Sequence, residues 1–438
     1  MLSVSRNTNQ QLVPETYRKL FPKLSRERWI IRGISRAMVI TIGCRLNQEE
    51  GDALRNLLQQ QGYQVTTMLK GLDLCIVNTC TVTKSADRTS IKWIKRIAGL
   101  KPKPKLIVTG CLAQTAAERL KRIKGVDQVI NQIDKVKLIE DCPILPVRAR
   151  VFLKIQDGCC NRCAFCIPSR LRGIPVSKPM PIVEKEVRDL IAQGYQEIVL
   201  VGLNLGAYGL DLGSSLVALL KNLTKIKEEF RIRLSSLEPD AIEDELLNRF
   251  DEFRLCRHLH IPLQSGDDRI LSLMGRRYTV AQYQQLIEKI VGNISDINIG
   301  TDLIVGFPSE DDESFNKTLA LVRNLPFGYL HAFPYSPRPG TEAFNLKDDI
   351  ISKEKKRRVN ILRALSLEKT LDFRRRFMGK ILNVIIEQEN RATSDNYIRI
   401  FLSQAGNGSK TGRLAKALIT DVRPTQTFGE LVLPLKRL

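Results

Sequence analysis

The stretch Arg150–Cys166 reads RVFLKIQDGCCNRCAFC. Its aliphatic run, Arg150–Ile155, has the composition of a buried strand. A polar loop follows and carries Cys159, Cys163 and Cys166 at C-x3-C-x2-C spacing. Three thiols in one loop can hold three irons of a cubane cluster and leave the fourth free to bind a small molecule. Zinc is the rival, but structural zinc takes four protein ligands, commonly as two C-x2-C pairs. No second pair and no H-x3-5-H spacing follow. Cys160 breaks the spacing and reads as a bystander.

Beyond this loop, strand and helix patterns alternate. Strands are expected at Glu197–Val201, Arg231–Leu234, His258–Ile261, Ile297–Ile304 and Tyr329–Phe333. Helices are expected near Ile182–Ala192, Leu216–Leu223, Ala241–Phe250, Val280–Val291 and Glu313–Asn324. Six such units make a partial (β/α)6 barrel over residues 147–352, with its chemistry at the carboxyl ends of the strands. Polar groups fall there, in Gly202-Leu203-Asn204, Ser235-Ser236-Leu237-Glu238 and Pro262-Leu263-Gln264, while Asp302 lies in the fifth strand region.

Upstream of the loop, Ile139–Val147 contains Pro143 and Pro146 and reads as a linker. Before it, residues 38–142 alternate strand and helix again, which implies a parallel sheet. Cys44 follows the strand Val39–Ile42, Cys80 follows Leu74–Val77, and Cys111 follows Lys105–Thr109. Neighbouring strands lie about 4.8 Å apart, so three thiols at three strand ends can converge. They suit an iron–sulfur cluster with one open iron, or a zinc site lacking a fourth ligand. Cys75 and Cys142 read as structural.

The chain has 438 residues, enough for about three domains at roughly 150 residues each. Lys and Arg number 69 against 47 Asp and Glu, for a net charge of +22. That excess implies a polyanionic partner, either nucleic acid or an anionic membrane surface. Ten cysteines are too few for a disulfide scaffold, and their clustering reads as metal binding in a reducing compartment. No apolar run reaches the roughly 18 residues a membrane span needs. Residues 1–37 are basic and lack an apolar signal core; they are expected to be disordered, as a flexible arm, a transit peptide or a stretch upstream of the true start. Residues 353–380 form a cation-dense helix, for which phosphate contact is expected. Residues 381–438 turn to short strands, with a turn at Gly406-Asn407-Gly408, and fit a small β-barrel. In it, Tyr397 and Phe401 are either base-stacking or core residues. The fold class is α/β, with a parallel amino-terminal domain, the partial barrel and the small C-terminal barrel.

The cysteine triplet on a partial barrel resembles the radical S-adenosylmethionine enzymes. The phrases Thr41–Gln48, Asn78–Thr83 and Thr109–Cys111 are similar to the methylthiotransferases of that superfamily. Leu203–Gly209, Arg231–Ser236, Gly275–Thr279, Gly300–Pro308 and Asp395–Arg399 most resemble the members that act on N6-threonylcarbamoyladenosine in tRNA. The resemblance implies two [4Fe-4S] clusters, one on Cys159, Cys163 and Cys166 and an auxiliary, sulfur-delivering one on Cys44, Cys80 and Cys111. It implies S-adenosyl-L-methionine contacts at Gly202, Asn204, Ser236, Glu238 and Gln264. One S-adenosylmethionine would methylate sulfur on the auxiliary cluster, and another would generate the radical that removes hydrogen from carbon 2 of the adenosine at position 37. It further implies a TRAM-like RNA-gripping C-terminal barrel, a tRNA partner, an electron donor such as a flavodoxin or ferredoxin, a monomer, no membrane and a cytoplasmic location. The same chemistry on N6-isopentenyladenosine or a ribosomal-protein aspartate, and a non-catalytic iron–sulfur or zinc protein that binds RNA, are the alternatives. After Cys166 the family has two aliphatics, a proline and an aromatic, then Arg-Gly and more arginines. Here the run is Ile167-Pro168-Ser169-Arg170-Leu171-Arg172-Gly173, a departure that bears on the loop path and an RNA contact but not on the cluster ligands.

Overall fold

The computed structural model describes residues 35–139, 142, 148–403 and 411–432. The expected extension falls outside these except for its last residues, because the first strand begins at Arg36 rather than after Met38. Most of the linker and the turn at Gly406–Gly408 also lie outside the described residues.

The first domain is a five-stranded parallel sheet. Its strands are β1 (Arg36–Thr41), β2 (Gln64–Val65), β3 (Leu74–Thr79), β4 (Lys105–Gly110) and β5 (Gln128–Val129), in the order β2-β1-β3-β4-β5. Central β3 is buried along its whole length, as a parallel strand covered on both faces must be. Helices Arg45–Gln60 and Gln132–Ile139 lie against one core, and Lys84–Ala98 against the other. The last of these starts at Thr83, whose hydroxyl accepts from the Ala86 amide at 3.1 Å.

The central domain starts with β6 (Val151–Lys154), then pairs β7 (Gln156–Asp157) with β8 (Val176–Ser177). Its barrel strands continue as β9 (Glu197–Val201), β10 (Arg231–Leu234), β11 (His258–His260), β12 (Asn298–Val305) and β13 (Phe327–Pro334). The six expected strands are all present. They form two parallel half-sheets, β10-β9-β6 and β11-β12-β13, rather than one continuous ladder. A bridge from Ile232 to Leu255 joins the halves where β11 is too short to do so. One core of aliphatic residues runs through both halves and the surrounding helices.

Helix Ser352–Arg375 covers β13, where the Ser366 hydroxyl meets both the amide and carbonyl of Leu330 at 2.8 and 3.0 Å. The structure narrows the set of cations on this helix that can meet a phosphate. Several of its cations turn inward. Lys355 pairs with Asp348 at 2.5 Å, and Arg358 reaches Glu310, Asp312 and Glu354 at 2.7–2.9 Å. Lys369 and Arg374 bond to backbone carbonyls. Lys353, Lys356 and Arg363 are the cations left on the solvent side without an ion pair among the described residues.

The C-terminal strands β14 (Ile381–Gln388), β15 (Arg391–Ser394), β16 (Arg399–Leu402), β17 (Leu414–Val422) and β18 (Thr427–Leu431) close into a barrel. This barrel sits on the amino-terminal end of the central one. Arg231 and Arg233, pointing out of the bottom of β10, donate to the carbonyls of Asn383, Thr393, Ser394 and Asp395 at 3.0–3.2 Å. Both arginines also bind Glu197 at 2.7 Å. Tyr397 turns into this floor at φ +68°, its ring tilted 4.4 Å from His258, so it is an interdomain contact and not a free base-stacking surface. Phe401 packs on Phe428 at 5.7 Å.

Burial alone would raise the Glu197 carboxyl, but the two guanidiniums outweigh it and hold it down at about 2. Glu197→Ala strands two buried cations and is expected to cost about 3–5 kcal/mol by chemical denaturation near neutrality. Because the folded carboxyl titrates below its ordinary 4.5, its stabilising effect is full above that value and is lost as pH falls toward 2. The gap between wild type and variant therefore narrows across that window.

Candidate active site

Cys44, Cys80 and Cys111 stand just past the carboxyl ends of β1, β3 and β4, three adjacent strands. The register pairs Thr41 with Asn78 and Thr79 with Gly110, which brings the three loops level. Gly43, at φ +118°, passes so close to Cys80 that a Cβ there would lie 2.9 Å from its sulfur. The thiols of Cys44 and Cys111 both act electrostatically on Cys80, whose burial pushes it up to about 12. Cys111 is also raised by burial, with Arg172 and Lys135 pulling the other way.

Those two cations belong to a buried network behind the trio. Lys135 donates to Asn47, Glu50 and Asn78 at 3.2, 2.5 and 3.0 Å. Asn47 follows Cys44 by three residues, and Asn78 precedes Cys80 by two. Arg172, in the second domain, reaches back to the first, holding Glu50 at 2.9 and 3.0 Å while it also holds Asp157 of its own domain at 2.8 Å. Asp157 lies two residues before Cys159. One guanidinium thus ties the loop of the cysteine triplet to the sheet edge carrying the other three. Sequence reasoning missed this role and treated the run around Arg172 only as a departure from a pattern.

The triplet itself sits past β7. Gly158, at φ +73°, leaves no room for a side chain, since a Cβ would fall 1.9 Å from the Ile174 carbonyl. Gln156 braces the loop by donating to the Asp157 and Gly158 carbonyls at 2.8 and 2.7 Å while accepting the Asn204 amide at 2.9 Å. Cys163 is buried, Cys159 and Cys166 are half-buried, and Cys160 is exposed. Asn204 reaches the Cys159 sulfur at 3.7 Å. Arg276 reaches the Cys163 sulfur at 3.2 Å and pairs with Glu238, whose carboxyl is raised by burial and pulled back by that arginine. Arg276 was absent from the residues expected at the site, although the phrase that contains it had been singled out.

The other expected contacts divide. Gly202 lies under Gln156, where a Cβ would come 2.7 Å from its side-chain oxygen, so packing accounts for it. Ser236 is exposed, whereas its neighbour Ser235 is the buried one. Gln264 is buried at φ +69°. The Asn204 Oδ1, Ser235 Oγ and Gln264 Oε1 atoms are buried with no hydrogen-bond partner among the described residues. Orphaned polar atoms just past three neighbouring strand ends, one of them on the residue that touches the Cys159 sulfur, fit a site completed by a polar small molecule. All three histidines lie on β11 and β13, in contact with Tyr329, Asp302 or one another, so no imidazole completes either trio as a four-ligand zinc site.

Residues 36–131 match the family described as uncharacterized protein family UPF0004, and residues 153–322 match the radical SAM superfamily. A threonylcarbamoyladenosine tRNA methylthiotransferase of Aquifex aeolicus is 36% identical over 86% of this chain and 98% of its own length. The chain belongs to the radical SAM tRNA methylthiotransferase family. The Bacillus subtilis threonylcarbamoyladenosine enzyme is 32% identical, over 90% of this chain and 95% of its own. A tRNA-2-methylthio-N(6)-dimethylallyladenosine synthase of Thermoanaerobacter is 33% identical, over 90% and 92%. Among solved structures, the radical S-adenosylmethionine methyltransferase TsrM of Kitasatospora setae superimposes with a TM-score of 0.53 at 14% identity, covering 71% of this chain and 74% of that one, a likeness of fold. As a methylthiotransferase of the radical SAM superfamily, this enzyme uses S-adenosylmethionine and a [4Fe-4S] cluster.

For this methylthiotransferase, Arg172→Gln removes the charge that links the two cysteine sites and leaves Glu50 with Lys135 and the more distant Lys154, 3.6 Å away, as its cations. Loss of such a buried partner is expected to cost about 3 kcal/mol. Faster limited proteolysis between the first and second domains, at retained secondary structure by circular dichroism, is the measurement that checks it.

Proposed function

We propose that this enzyme adds a methylthio group to carbon 2 of N6-threonylcarbamoyladenosine at position 37 of tRNA. The observation that carries the reading is the pairing of two three-thiol sites, each at a strand-end edge, across one buried ion network. The names of its similar relatives support the nucleoside.

In this reading Cys159, Cys163 and Cys166 hold the cluster that binds S-adenosylmethionine, and Cys44, Cys80 and Cys111 hold a second [4Fe-4S] cluster. Bound together, cluster and S-adenosylmethionine supply one-electron chemistry for a C–H bond that no side-chain base opens near neutral pH. The chain's own residues do the rest. Asn204, Ser235 and Gln264 offer unpaired polar atoms to the cofactor, and Glu238 with Arg276 holds one edge of it. Lys135 and Arg172 place positive charge beside Cys111, which offsets part of the burial that raises its thiol. Exposed cations and the C-terminal barrel provide the RNA-facing charge, consistent with the net +22. The reading includes a flavodoxin- or ferredoxin-type electron donor, a monomer and a cytoplasmic location. No helix among the described residues is long and apolar enough to cross a membrane.

Anaerobically reconstituted wild type should carry about eight irons per chain, and Cys159→Ala or Cys44→Ala about four each. Cys159→Ala should abolish S-adenosylmethionine cleavage. Cys44→Ala, Cys80→Ala and Cys111→Ala should keep cleavage and yield no methylthio product. In cells lacking the gene, mass spectrometry of tRNA nucleosides should show loss of 2-methylthio-N6-threonylcarbamoyladenosine and accumulation of its precursor. Loss of the dimethylallyl analogue instead would move the substrate while leaving the chemistry.

A further inference from the structure

The half-sheet β11-β12-β13 lines the lumen with polar and aromatic side chains that the mechanism above does not use. Register pairs Gly300 with both His260 and Tyr329, Asp302 with His331, and Ile304 with Phe333. Gly300 is glycine because the Tyr329 ring fills its side-chain space, 2.0 Å from where a Cβ would stand. The Tyr329 hydroxyl is held by His258 at 2.9 Å and His260 at 3.0 Å. His260 then reaches Asp302 Oδ1 at 3.0 Å through Nε2. His331 reaches the same oxygen at 3.3 Å through Nδ1.

The wall is closed at its floor and open at its top. His258 is fully buried and His260 nearly so, whereas the His331 side chain is 54% exposed and Phe333 is 41% exposed. Both histidines bind Oδ1, so Asp302 Oδ2 and His331 Nε2 are left without a hydrogen bond among the described residues. The Phe333 ring meets the His331 ring edge-on at 6.3 Å. The wall adjoins the candidate cofactor contact Gln264, whose backbone amide donates to the Asp302 carbonyl at 2.8 Å, and it connects toward Cys44 through Tyr397, whose ring lies 6.3 Å from Tyr329 and whose hydroxyl accepts from Arg45 at 3.4 Å.

We infer that Asp302, His331 and Phe333 form the subsite for the N6 substituent of the target adenosine, and that they select a polar, ureido-acid substituent over a prenyl one. This rests on the reading that N6-threonylcarbamoyladenosine is the substrate. The carboxylate oxygen accepts a urea N–H, the imidazole Nε2, an acceptor because Nδ1–H donates to Asp302, accepts from the threonyl hydroxyl, and the phenyl ring carries the apolar part. A dimethylallyl group seated there would cover both polar atoms and give neither a partner, a mismatch that costs more than an absent apolar contact does.

The test uses the full-length reconstituted enzyme and anticodon stem-loops that carry threonylcarbamoyl, dimethylallyl or no group on the target adenosine. Wild type should bind the threonylcarbamoyl stem-loop at least about tenfold more tightly than the other two. His331→Phe and Asp302→Asn should erase that ratio, whereas a merely structural loss would weaken all three stem-loops alike. Asp302→Asn keeps the shape and decides the matter if His331→Phe does not fold. A wild type that prefers the threonylcarbamoyl form, with both variants retaining the preference, overturns the subsite and leaves the substrate reading standing. A wild type that prefers the dimethylallyl form overturns both. Stoichiometric zinc that is lost in His331→Phe would show a metal site in place of the subsite.

Discussion

Glu50 is a carboxylate without water, and the architecture around both cysteine sites depends on how it stays charged. Burial opposes its ionisation, yet Arg172 and Lys135 together hold it well below the usual carboxylate range. Each of the three charges reports to a different part of the chain. Lys135 comes from the last helix of the first domain, Glu50 from the helix after Cys44, and Arg172 from the short helix after Cys166. None of them could be buried alone. Because their partners are shared, the two cysteine-bearing edges cannot separate without exposing or orphaning a charge.

The same logic operates at the other end of the central barrel. A barrel of six strands is open below and at its side, and the polar bottoms of β9 and β10 need covering. Glu197 neutralises the two arginines, and the backbone carbonyls of β15 and the turn after it use their remaining donors. Tyr397 completes the plug among Arg45, Arg150 and Arg233, whose charges lower its hydroxyl to about 8 against the effect of burial. The C-terminal barrel is therefore the floor of the lumen as well as a separate module. Arg45, which touches Tyr397 at 3.4 Å, stands beside Cys44, so floor and cysteine edge share a contact.

Much of this was legible in the residues. Strands that are apolar throughout, such as EIVLV at Glu197–Val201, were located to the residue because a strand buried on both faces has no other pattern. Short or interrupted elements were less visible. The helix expected over Ala241–Phe250 is only Asp244–Asn248, and the four residues of β15 carry no alternation long enough to read. The cation-dense helix was less legible for a different reason. Charge counted along a sequence does not say which way a side chain turns, and Lys355, Arg358 and Arg374 turn inward.

The sequence by itself determined the chemistry on offer: two sets of three cysteines at strand ends, a parallel α/β frame and an excess of positive charge. Spacing and periodicity are local properties, and a strand and loop of seventeen residues together are enough to display both. Tertiary structure alone decided that Arg172 and Glu50 tie the loops of the two sets together, and that Asp302, His260 and His331 line one wall. These residues are separated by scores of positions, and what unites them is the need of buried charges and hydrogen-bonding groups for partners, a need that only the folded chain can meet.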